Sequence, residues 1–68
     1  MPEFNDKVNA ICGEYLEPTQ FELFNGSLFY RAPMPVSRKL FSKLMQAFDM
    51  KCQIKAIELD YYVVDFIE

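Results

Sequence analysis

The chain has no histidine and no tryptophan, and only two glycines and two cysteines among its 68 residues. Without histidine, the commonest general base and metal ligand is missing. Gly13 and Gly26 lie too far apart to form a phosphate-cradling loop. No serine stands in a nucleophile-elbow pattern. Cys12 or Cys52 acting as a nucleophile would lack a histidine partner. A structural zinc site lacks both histidine and a CxxC pair. These absences point to a non-enzymatic protein with no cofactor and no metal.

Long apolar runs are missing as well. None approaches the roughly 18 residues that span a bilayer, so no membrane partner is expected. The opening MPEFNDKVNA has neither a basic region nor an apolar core of the secretory kind. The expected location is therefore cytoplasmic. In a reducing compartment Cys12 and Cys52, each in an apolar-periodic context, read as shielded free thiols rather than a disulfide.

Hydrophobic residues make up 51% of the chain and aromatics 16%, which excludes disorder. The length fits one compact domain, residues 1–68, with a core that is small for independent stability. The clearest local signal is Thr19–Ala32, TQFELFNGSLFYRA. Two apolar-rich runs flank Asn25-Gly26, the dipeptide suited to a type I′ hairpin turn. That turn fixes the register, with Phe24 opposite Ser27 and Phe21 opposite Tyr30. One face becomes Phe21, Leu23, Leu28 and Tyr30, a core surface. The other becomes Gln20, Glu22, Phe24, Ser27, Phe29 and Arg31, half polar and half aromatic. What covers Phe24 and Phe29 is the main functional question.

Helical spacing of Phe4, Val8, Ile11, Cys12 and Tyr15 predicts a first helix over 4–17 with Asn5 as N-cap. Gly13 offers an earlier end. Glu3, Asp6, Glu14 and Glu17 fall on its opposite side as an acidic face. Pro33-Met34-Pro35 ends the second strand. Ser37 reads as the N-cap of a second helix running to about Met50 on Leu40, Phe41, Leu44, Met45 and Phe48. Arg38, Lys39 and Lys43 lie on its basic side. The final residues 53–68, QIKAIELDYYVVDFIE, read as strand. Their alternation changes phase near Ala56-Ile57, which signals a bulge or break. Sixteen extended residues would span about 50 Å, against about 20 Å for the hairpin strands. The segment must bend, overhang or break in two near Leu59-Asp60.

The expected fold is thus α+β, in the order α-β-β-α-β. A small antiparallel sheet of order 2-1-3, with a fourth strand left open, packs against one or two helices. Tyr61–Ile67, apolar on both faces, reads either as an exposed edge that recruits a second chain or as a buried fourth strand.

Net charge is −3 but unevenly placed along the chain. Residues 1–30 carry −4, residues 31–55 carry +5 and residues 56–68 carry −4. Either these blocks make two-signed surface fields or they interleave in space. Surplus aromatics and segregated charge favour a protein–protein interaction module. Its expected contacts are Phe24, Phe29, Arg31, Arg38, Lys39, Lys43, Tyr61 and Tyr62, and its partner is a protein or a second copy. Nucleic acid is a lesser alternative, through the basic side of the second helix and aromatic stacking, because such modules are basic overall. A structural homo-oligomeric accessory protein is a third reading. In size, acidic balance and lack of catalytic groups the chain resembles small phage-encoded inhibitors, including anti-CRISPR-type proteins. That resemblance implies inhibition of a larger nucleic-acid-processing complex, and it rests on no motif. A small bacterial regulator or toxin–antitoxin partner fits the same features.

Overall fold

The computed structural model describes residues 2–49 and 51–67. Met50, where the sequence puts the end of the second helix, and Glu68 of the terminal acidic block lie outside them. The order is α1 (Pro2–Gly13), a 3-10 turn (Pro18–Gln20), β1 (Phe21–Phe24), β2 (Ser27–Arg31), α2 (Met34–Phe48), β3 (Lys51–Glu58) and β4 (Tyr61–Ile67). The protein is an α+β domain with a wholly antiparallel four-stranded sheet.

The β1–β2 hairpin has the expected register, Phe21↔Tyr30 through Phe24↔Ser27. Asn25 at φ 51° and Gly26 at φ 78° supply the two positive angles of the type I′ turn. The twist of that turn matches the strands, so the short hairpin closes without splaying.

Both helices begin or end differently from the sequence reading. Gly13 ends α1, and the chain turns through Glu14 to Leu16, with the Leu16 amide donating to the Cys12 carbonyl at 2.8 Å. Asn5 lies inside the helix and is not its cap. Helix α2 starts at Met34, three residues before Ser37. A proline in the first helical turn has no N–H to satisfy, so Pro35 fits inside the helix rather than before it. The Ser37 amide donates to the Pro33 carbonyl at 3.0 Å, and Ser37 is a buried helical residue instead of an N-cap. Its hydroxyl meets the Tyr30 hydroxyl at 2.7 Å. Asp49, in left-handed geometry, closes α2.

The strand order is β1-β2-β4-β3, which corrects the expected 2-1-3. The crossover through α2 does return β3 parallel to β2. However, β3 goes to the far edge, and the chain doubles back at Leu59-Asp60 so that β4 fills the gap. A register shift between Ala56 and Glu58 marks the bulge that the phase change anticipated. The doubly apolar Tyr61–Ile67 thereby becomes a central strand paired on both sides. It is not the exposed edge that one sequence reading made it.

One core holds the layers together. Val8, Ile11, Cys12 and Leu16 from α1 and its following turn, with Leu40 and Leu44 from α2, pack on Leu28, Tyr30, Tyr62 and Val64 of one sheet face. Phe4, Phe48 and Phe66 close the end of this core with ring centroids 5.0–5.5 Å apart. Lys7 ties the helices together. Its ammonium donates to the Ala47 carbonyl at 2.8 Å and lies 4.8 Å above the Phe48 ring. A cation there also meets the negative end of α2. Both helices therefore share one face of the sheet, and among the described residues the other face carries no helix.

Candidate binding face

The uncovered face is read from the register. Across it run Arg31, Tyr61 and Glu58 in one row, then Glu22, Phe29, Val63 and Lys55, then Phe24, Ser27, Asp65 and Gln53. Neither helix covers Phe24 or Phe29. Phe24 is 58% exposed, and Phe29 is partly buried. The Phe29 and Tyr61 rings lie 6.5 Å apart, and the Arg31 guanidinium sits 4.6 Å above the Tyr61 ring. Val63, only 7% exposed, forms the floor between them. Glu22, Phe24, Phe29 and Tyr61 line one shallow hollow. A second lies beside it toward Thr19, Gln20 and Arg31.

Polar contacts hold this face in place. Arg31 donates to Asp60 at 2.9 Å and lies 3.6 Å from Glu58. The Ser27 hydroxyl donates to Asp65 at 2.6 Å, and Lys55 lies 3.9 Å from the same carboxylate. The Gln20 amide nitrogen donates to the Arg31 carbonyl at 3.2 Å, which anchors the 3-10 turn to the end of β2. The Ala32 amide donates to the Asp60 carbonyl at 3.0 Å, which fixes the β3–β4 turn beside the same row. Among the described side chains of the face, both cations, Arg31 and Lys55, are thus paired with carboxylates. Among the described side chains, four carboxylates, Glu22, Glu58, Asp60 and Asp65, stand at or beside it against Arg31 and Lys55, an acidic and aromatic set.

Of the residues picked from sequence, Phe24, Phe29, Arg31 and Tyr61 come together here. Tyr62 does not. It is 8% exposed, points to the helices and stacks on Tyr30 with centroids 5.4 Å apart. Adjacent strand residues point to opposite faces, so Tyr61 and Tyr62 cannot share a site. Arg38, Lys39 and Lys43 lie exposed on the outer side of α2, on the far side of the molecule from the aromatic face. With Tyr15, Ser42 and Gln46 they line a shallow groove. Among the described residues none of the three is in an ion pair.

Glu3, Asp6, Glu14 and Glu17 are all exposed, but they do not form one helix face. The helix ends at Gly13, which carries Glu14 and Glu17 off its axis. Glu22 shares the hairpin face with Phe24 and Phe29, as the turn register read from the sequence has it. Val63, Glu58, Asp60, Lys55 and Asp65 were not placed on that face from sequence. Their place depends on the β2–β4 register, which no local pattern encodes.

The thiols are free, Cys12 buried and Cys52 partly so. Burial pushes the Cys12 thiol up to about 12 and raises that of Cys52. Neither environment generates a thiolate nucleophile near neutrality. Among the described residues no helix is long and apolar enough to cross a membrane.

The fold and this face define a small two-layer α+β domain with an open aromatic sheet surface. No family model matches the sequence, and no curated protein and no solved structure matches the chain.

Proposed function

We propose that the chain is a non-enzymatic protein-binding module that docks a larger protein on its open sheet face. The observation that carries this is the diagonal aromatic row Phe24, Phe29 and Tyr61, Phe24 exposed and the other two half-buried, on a face with no helix over it among the described residues. Aromatic anchors with a charged rim are the usual make-up of a binding patch. The surplus of carboxylates around the row favours a partner with a basic surface. The same surplus opposes the phosphate backbone of a nucleic acid. Basic surfaces are typical of proteins that handle nucleic acids. An inhibitor of such a complex, of the phage anti-defence type, is the form of the module that the acidic balance and small size fit. The compartment we propose is the cytoplasm, where Cys12 and Cys52 stay reduced.

A second reading has its own observation. The groove of Tyr15, Arg38, Lys39 and Lys43 is basic, aromatic on one side and free of ion pairs among the described residues. It supports a small nucleic-acid-binding regulator.

Affinity capture from host lysate separates the two when wild type is compared with Phe24→Ser and with the double variant Arg38→Glu/Lys43→Glu. Both sites are exposed, so the variants should keep the wild-type circular dichroism. The first reading expects one basic partner held by wild type and the double variant, and lost by Phe24→Ser. Capture that survives Phe24→Ser would overturn it. Nucleic-acid mobility shifts that the double variant abolishes would establish the second reading instead.

A further inference from the structure

Strand β3 forms one margin of the sheet, and its outer backbone edge is unpaired among the described residues. At eight residues it is twice as long as β1, the other margin. Its helix-side residues Ile54 and Ala56 continue the rows of Val64 and Tyr62, yet both are exposed, Ile54 at 36%. The core layer thus runs out to this margin and stops uncovered. Beyond it projects the β3–β4 turn, with Leu59 97% exposed.

We infer that β3 is the contact by which two copies of this chain pair, edge to edge and antiparallel about a two-fold axis, to form a continuous eight-stranded sheet. Charge narrows the register. Residues directly opposite in an antiparallel pair share a sheet face, so a two-fold axis perpendicular to the sheet sets one residue opposite itself. Centred on Lys55, the pairing opposes that lysine to its own copy. Like charges directly opposite are destabilising. Centred on Ile54, Gln53 meets Lys55 of the second copy, Cys52 meets Ala56, and Ile54 meets Ile54. This register has no like-charge pair, and it joins the apolar rows of both cores.

The Ile54 register also sends the projecting turn toward the end of α2 in the second copy. The bulge after Ala56 limits the pairing to the segment before it, and the two-fold axis consumes both long edges. The assembly therefore closes at two copies instead of growing into fibres. A short edge contact is smaller than stable interfaces of standard size, so association in the range of about 10 µM to about 1 mM is expected. This pairing leaves the aromatic face free and does not depend on the function proposed above.

Sedimentation of the full chain across that range tests it. The mass should rise from 8.0 kDa toward twice that value. Ile54→Lys, which puts like charges at the axis, should stay monomeric throughout. Ala56→Cys, mildly oxidised, should give a covalent dimer whose peptide map joins the introduced thiol to native Cys52. In wild type, the outward amides of β3 should exchange more slowly as concentration rises, a readout that needs no variant. A monomeric mass over the whole range would overturn the inference. So would a dimer that Phe24→Ser abolishes and Ile54→Lys preserves, since that dimer would use the aromatic face.

Discussion

At the scale of single residues, the most informative contact is the buried hydroxyl pair of Tyr30 and Ser37, 2.7 Å apart. It joins β2 to the first turn of α2 inside an otherwise apolar core. Tyr30 is 1% exposed and Ser37 is 2% exposed, so neither hydroxyl has water as a substitute partner. Removing one partner of a buried pair costs about 1–3 kcal/mol, whereas removing both costs less than the sum. Ser37→Ala should therefore lower stability by about that amount by orphaning the phenol. Tyr30→Phe should cost less, because a helical serine can turn its hydroxyl to the carbonyl one turn back. Urea titrations of the two single variants and the double variant check this, with an expected coupling of about 1 kcal/mol. Strict additivity would mean the bond contributes nothing. Ser37 also illustrates why the sequence misleads locally. A serine ahead of an apolar helical stripe has the pattern of an N-cap, and nothing local reveals that a tyrosine hydroxyl on another element needs it as a partner.

At the scale of elements, what is local was legible and what is long-range was not. The Asn25-Gly26 turn, the hairpin register, the bulge near Ala56-Ile57 and a break at Leu59-Asp60 all follow from neighbouring residues. The position of β4 between β2 and β3 does not, because it depends on which strand gains most from burial on both faces. Tyr61–Ile67 is the most apolar run and takes the central place. Four of the eight expected partner-binding residues come together as a result, and Tyr62 joins the core. The end of α2 carries a prediction at this scale. Asp49 closes the helix at φ 46°, ψ 38°, a geometry that costs a residue with a Cβ about 1–2 kcal/mol. Its carboxylate also meets the negative end of the helix. Asp49→Gly removes both penalties and places the residue preferred there. The melting temperature should rise by about 4–8 °C for each kcal/mol gained in a domain of this size. A drop on calorimetry would show that Asp49 makes a contact that offsets its strain.

At the scale of the whole molecule, the division of the sheet governs both charge and stability. The sequence's charge blocks partly interleave, because Arg31 reaches Glu58 and Asp60, and Lys55 reaches Asp65. They partly stay apart, because Arg38, Lys39 and Lys43 remain together on α2. Everything buried and titratable lies on the helix side. Burial raises the Cys12 thiol from 9.0 to about 12. It raises the Tyr30 phenol from 10.0 to about 12, against the lowering effect of its bond with Ser37. For both groups the folded state favours the neutral form. Below the unfolded values neither is ionised in either state, and their contribution to stability is constant. Above about pH 9 the unfolded chain releases protons that the native core retains, so stability falls as pH rises toward about 12. With no histidine, no imidazole adds a step near neutrality. Urea midpoints for wild type should therefore decline steadily between about pH 9 and about pH 11. Cys12→Ala is less stable near neutrality because it leaves a small cavity. Its decline should be shallower from about pH 9, where the Cys52 thiol still contributes, and should steepen about one pH unit later as the phenol is released. Parallel curves for the two proteins would mean that the core admits water around Cys12, and the helix-side layer would then be looser than its packing implies.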